Sequence, residues 1–272
     1  MTLGVPLTRG LLCALAVWLS GCAQGVAGLA STGVLAIHAD LPTESDELPF
    51  QRRARIRLEL ALAYFQQGQT RVALDEIKQS IAIDPANAEA YNLRGLAYQR
   101  LNDLPLASES FQRALVVNPL DPDAAHNYAW LLCHQAQYDA SERFFAQAIA
   151  NPTYAHAAKS WMAQGLCQLR SGETDDAEVS LSRSYDLDAG HPVTGYNLAK
   201  LLFDRGEFQP AQPYISKLNK GPLANAQTLW LGIRIEQQLQ HPNAVAALAD
   251  QLRGRFADSG ELLAYEREAL HD

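Results

Sequence analysis

The side chains able to do chemistry are few and scattered. His126, Cys133 and His134 share one stretch, H-N-Y-A-W-L-L-C-H. On a helix their i,i+7 and i,i+8 spacing gives loose proximity, and no acid stands by to orient a histidine for nucleophilic catalysis. The seven histidines include no i,i+4 pair, and neither H-E-x-x-H nor C-x-x-C occurs, so zinc chemistry has no framework. A P-loop, a dinucleotide glycine fingerprint and a G-x-S-x-G elbow are all missing. The adjacent Asp175 and Asp176 read as solvated turn residues. The expectation is a protein that is not an enzyme and has no metal, cofactor or small-molecule substrate. What remains is thiol chemistry at four cysteines, Cys13, Cys22, Cys133 and Cys167.

The elements that must carry these residues show in the stretch Ala88–Pro119. Tyr91, Gly95 and Tyr98 recur at helical spacing, then Ala107, Phe111 and Ala114, and Pro119 closes the unit. Gly95 and Ala107 allow two helices to approach closely, while Tyr98 and Phe111 fill the space around them. Stepping by 34 residues finds Ala61, Tyr64, Ala73, Ile77 and Pro85 before it, and Ala129, Leu132, Ser141, Phe145 and Ala148 after it. Two extra residues enter around Asn151–Tyr154, and the pattern resumes with Trp161, Gly165, Ala177 and Leu181. Further copies carry Ala199, Leu202, Ala211 and Ile215, then, after a 33-residue step, Leu231, Gly232, Ile235, Ala244 and Leu248.

This pattern resembles the tetratricopeptide repeat. The resemblance implies an all-α fold, a right-handed superhelical solenoid of about six helix-turn-helix units over residues 51–272. The units start near Ala54, Ala88, Pro122, Ala158, Pro192 and Asn225. A formal charge of −8 argues against nucleic-acid binding, because no basic excess exists to displace phosphate counterions.

Residues 1–21 read as an exported leader, with Arg9 before the short apolar run Gly10–Leu19. Leu19-Ser20-Gly21-Cys22 looks like the lipobox of a bacterial lipoprotein. That likeness implies cleavage before Cys22, covalent lipid on it, and sorting to the outer membrane by Ala23. An ordinary secretory signal followed by a chance cysteine is the alternative. Residues 22–50, small and then acidic with Pro42 and Pro49, read as a tether. Arg52, Arg53, Arg55 and Arg57 open the first helix, where cations oppose the macrodipole. They are either a contact for an acidic partner or anionic lipid, or a solvated face with Glu59 as local compensation.

Asn127 occupies a slot that in such repeats faces the concave groove and hydrogen-bonds an extended peptide backbone, and Asn197 shares it. Trp130, one turn on, reads as an apolar anchor or as packing against a neighbouring helix. Leu62, Phe65, Leu96 and Leu166 complete the expected partner-binding groove. Cys133 and Cys167 fall at slots 12 and 10 of the first helices of consecutive units. Those helices stack side by side, so an oxidising compartment would permit a disulfide. Two buried thiols on an apolar face satisfy the spacing equally well.

The whole exported chain is similar to the PilF/PilW family of type IV pilus biogenesis lipoproteins, the pilotins. The marks are R-R-A-R-I-R-L-E-L-A-L-A-Y from Arg52, N-Y-A-W-L-L-C from Asn127, G-L-C at Gly165–Cys167 and L-G-I-R at Leu231–Arg234. His126-Asn127-Tyr128-Ala129 departs from the family's more usual Asn-Asn-Tyr-Gly. The resemblance implies a periplasm-facing scaffold, lipid-anchored in the outer membrane, that binds the pilus secretin and promotes its localisation and multimer assembly. Alternatives are an adaptor in outer-membrane barrel assembly or in cell-wall enzyme regulation, and an accessory subunit of an enzyme.

Overall fold

The computed structural model of the protein describes residues 46–269. The expected leader 1–21, Cys22 and the tether up to residue 45 lie outside the described residues. Among the described residues there are thirteen α-helices and no strand, and 78% of them are helical. Six hairpins follow one another. The first three are α1 (Pro49–Gln66) with α2 (Thr70–Ile83), α3 (Ala88–Arg100) with α4 (Leu104–Val117), and α5 (Pro122–His134) with α6 (Tyr138–Ile149). The others are α7 (Ala157–Ser171) with α8 (Thr174–Leu187), α9 (Pro192–Asp204) with α10 (Phe208–Asn219), and α11 (Ala226–Gln238) with α12 (Pro242–Arg255). A single helix, α13 (Gly260–Ala269), ends the array. No helix among the described residues is long and apolar enough to cross a membrane.

Local chemistry sets the helix starts. The Asn87 side chain accepts from Ala90 N at 3.1 Å, and Asp103 from Leu106 N at 3.2 Å. Asp121 accepts from both Asp123 N and Ala124 N, with Pro122 pre-set for the first helical position. Asn225 and Thr228 cap α11 reciprocally. Each hairpin turns through one residue in the left-handed region: Gly68, Asn102, Ala136, Gly172, Gly206 and Gln240, with φ between 55° and 90°. Successive turns are 34, 34, 36, 34 and 34 residues apart. The step of 36 absorbs the two residues inserted near Tyr154. The sixth turn keeps the 34-residue step, where the apolar spacing implies 33.

Within a hairpin the close approach is steric. A Cβ on Gly95 would stand inside contact distance of the buried Phe111 ring, and one on Gly165 would meet Leu181. Between hairpins, apolar clusters join each unit to the next. Ala107 and Phe111 of α4 pack with Tyr128, Leu131 and Leu132 of α5. Leu58 and Ala61 of α1 pack with Leu74 and Ile77 of α2 and with Ala90, Leu93 and Ala97 of α3. The apolar face of the last hairpin, Leu229, Ile233, Ala249 and Leu252, is covered by Leu262 of α13. The repeat pattern does not anticipate this capping helix, which shields a face that has no further repeat to cover it.

Candidate partner-binding groove

Each odd-numbered helix from α1 to α11 touches the next odd-numbered one, whereas no two even-numbered helices of the hairpins touch. The array therefore curves with the odd-numbered helices inside, and their free faces line a concave surface.

At its N-terminal end a cleft of about 240 Å³ opens between α1 and α3, lined by Arg55, Glu59, Leu62, Glu89, Asn92 and Leu93. Leu62 is 40% exposed there, a large apolar side chain facing open groove. Burial, then Asp121, Asp123 and Glu59, raise the Glu89 carboxyl above its ordinary pKa. Arg55 answers part of this negative field: its Nε lies 3.0 Å from Glu47 Oε1 and its Nη1 2.7 Å from Glu59 Oε1. Arg57 reaches back to Glu76 Oε2 of α2 at 2.8 Å. The four arginines thus divide. Arg52 and Arg53 are exposed, while Arg55 and Arg57 are held by acids. The helix also begins at Pro49, so Arg55 and Arg57 stand beyond the first turn, where the dipole argument has force.

The other expected groove residues lie on this same inner layer, with different degrees of freedom. Phe65 is half-buried, and the Arg100 guanidinium stacks 3.5 Å above its ring centre while donating to the Phe65 carbonyl. Leu96 is half-buried and packs into the clusters on both sides of it. Leu166 is half-buried on α7. Asn127 Nδ2 donates to Asn92 Oδ1 at 3.0 Å, which leaves the Asn127 carbonyl oxygen for a further donor. Asn197, in the same slot, donates instead to Val193 O of its own helix at 2.8 Å.

Trp130 packs against its neighbours, one of the two readings of its position. It packs on the cluster of Ala129, Cys133, Phe145, Ala163 and Cys167. It also meets His134 edge-on at 4.5 Å and lies 5.5 Å from the Arg170 guanidinium carbon. Directly behind it, Cys133 and Cys167 are joined as a disulfide with a Cα–Cα separation of 5.9 Å, tying α5 to α7. His126 and Ser160 make a second link between the same helices, with Nδ1 2.8 Å from Oγ, and both residues are buried.

Reading single slots misses Asn92, Arg100, Arg170 and Glu89. Arg100 and Asn127 each lie 35 residues beyond their partners, Phe65 and Asn92. A search for complementary pairs one repeat and one residue apart would have found Arg100 and Asn92. Among the described residues no group of three or more His, Cys, Asp and Glu side chains is placed to hold a metal ion.

Models of the tetratricopeptide repeat match residues 61–102, 88–121, 110–143 and 129–192. The chain is 25% identical over 211 residues to the type IV pilus assembly protein PilF of Pseudomonas aeruginosa, spanning 78% of this chain and 84% of the relative. The solved structure of Pseudomonas aeruginosa PilF superposes with a TM-score of 0.72 at 25% identity, over 80% of this chain and 99% of that one. The crystal structure of PilW, a widely conserved type IV pilus biogenesis factor, superposes with a TM-score of 0.68 at 29% identity, over 79% and 98%.

Proposed function

Because the chain is a tetratricopeptide-repeat protein homologous to PilF, and matches PilF and PilW in structure, we propose that it is a non-catalytic scaffold of type IV pilus biogenesis. In this reading lipid on Cys22 holds it at the outer membrane, facing the periplasm. Three acyl chains exceed the two signals that stable anchoring takes. The groove of the first four repeats receives an extended segment of the pilus secretin and promotes its assembly into multimers.

The observation that carries the reading is the α1–α3 cleft with the exposed Leu62, whose lining residue Asn92 is hydrogen-bonded to Asn127 of α5 on the same inner layer. Leu62 and Trp130 would bury apolar area against the partner, about 1.5–3 kcal/mol for a fully covered large side chain. Asn127, held by Asn92, would offer its carbonyl oxygen to a backbone N–H, a net contribution of about 1 kcal/mol. Arg170 on the Trp130 ring and the disulfide behind it fix the anchor before binding, which lowers the ordering cost.

The test is secretin multimer yield in cells carrying Leu62→Glu with Trp130→Ala, beside a thermal melt of the purified variant. Multimers should fall at least tenfold while the melt stays within a few degrees of wild type. Normal multimers on a folded double variant would remove the groove from this role.

A further inference from the structure

The inner layer carries a second cleft at the opposite end, between α9 and α11, with a volume of about 200 Å³ and Glu261 of α13 at its boundary. Its walls are aromatic: Tyr196 and Phe203 from α9 and Trp230 from α11. Arg234, the last residue of the L-G-I-R segment, is exposed on α11 and lines this cleft. Its guanidinium carbon lies 4.5 Å from the centre of the Phe203 ring and 6.0 Å from that of Trp230.

The charges around it are otherwise spoken for. Lys200 Nζ is 2.6 Å from Asp204 Oδ2, so that pair cancels. Glu261 sits in the first turn of α13, where the helix N-terminus offsets its charge. Among the described residues no acid pairs with Arg234, whereas Arg205 nearby in sequence is gripped by Asp175 and Glu178 at 2.6 and 2.5 Å. Among the described residues no hydrogen bond or ion pair engages the planar guanidinium of Arg234, which sits over the two rings. The five N–H donors radiate within that plane and stay available as a fork that fits a carboxylate in two hydrogen bonds. The aromatic contacts hold the guanidinium at the cleft, and its donors have no partner among the described residues.

We propose that this cleft docks an acidic side chain standing beside a large apolar one in an extended segment of a partner protein. The carboxylate takes the Arg234 fork, and the apolar neighbour lies against Trp230 and Tyr196. The site is separate from the α1–α3 groove and does not depend on the function proposed for that groove.

The test uses the full chain purified in detergent at low salt, titrated calorimetrically with alanine-based hexapeptides blocked at both ends. The central pair is Phe-Glu, Phe-Gln or Ala-Glu, and a fourth peptide ends in Phe with a free carboxylate. The Phe-Glu peptide should bind roughly tenfold tighter than either blocked control, as loss of a charge-assisted hydrogen bond or of an aromatic contact implies. Arg234→Gln should abolish the preference for Glu over Gln, Arg234→Lys should leave a few-fold remnant, and Leu62→Glu should leave it intact. Equal binding of Phe-Glu and Phe-Gln, no binding at millimolar peptide, or a preference that survives Arg234→Gln would each overturn the proposal. Binding of the free-carboxylate peptide alone would also overturn it, because the cleft would then read a chain terminus.

Discussion

His126 lies at the contact between α5 and α7. The imidazole is 4% exposed, lies against Ser160 Oγ and meets the Phe145 ring edge-on at 5.8 Å. Burial, with Lys159 and His156 adding to it against Asp123, lowers its pKa to about 4. An ordinary histidine in the unfolded chain titrates near 6.5. Between these values the unfolded state binds the extra proton, so stability is full above about pH 6.5 and falls as the pH drops toward 4. The loss should be about 2–3 kcal/mol, since each tenfold weakening of proton binding on folding corresponds to about 1.4 kcal/mol. Urea unfolding at pH 7 and at pH 4 should show it in the wild type, and His126→Gln should remove that share of the slope. Parallel pH profiles for the two proteins would show that the histidine is not the sensor. That Asn127 stands on an inner-layer helix was legible from its slot in the repeat. Its hydrogen bond to Asn92 was not, because a slot states which way a residue faces and not what its neighbour 35 residues earlier offers.

At the scale of the helix hairpin, the six turns carry one conformation with unequal residues. Gly68, Gly172 and Gly206 take the left-handed region without steric cost, and Asn102 tolerates it. Ala136 at φ 55° brings a Cβ into the region where it crowds the following carbonyl. Its side chain is exposed, so removing that Cβ sacrifices little packing. Ala136→Gly should therefore stabilise the protein by about 0.5–1 kcal/mol, the steric relief exceeding the extra entropy of an unfolded glycine. A melt raised by a few degrees would agree, and a lowered melt would show that Ala136 makes a contact the steric argument omits. The helices themselves were readable because small and large apolar residues return every 34 positions. Gly165 against Leu181 and Gly95 against Phe111 are the physical content of that pattern. The final helix was not readable, because α13 covers a face without repeating the unit that made the face. The pairing of Arg55 with Glu59 one helical turn on was readable, but the rest of the division of the first-helix arginines was hidden. Glu47, which holds Arg55, precedes the repeats, and Glu76, which holds Arg57, lies on the opposing helix.

For the described array as a whole, stability is a chain of neighbour contacts with no shared centre. Each hairpin touches the ones beside it, so loss of order at one end can spread inward one interface at a time. The disulfide between α5 and α7 interrupts that sequence in the middle of the array. Under mechanical load the consequence becomes a length. If the two ends of the chain are pulled apart, every hairpin can give up its slack except the segment enclosed by Cys133 and Cys167. A sequence separation of 34 held at a Cα distance of 5.9 Å withholds about 110 Å of extended chain at roughly 3.4 Å per residue. Force–extension traces of the oxidised protein should end short by that amount, and reductant in the bath should return it. Identical contour lengths with and without reductant would show that no such bond forms. With it in place the array behaves under tension like fabric with a rip-stop thread: a tear begun at either end halts at the bonded pair, which goes on carrying load after its neighbours have unravelled.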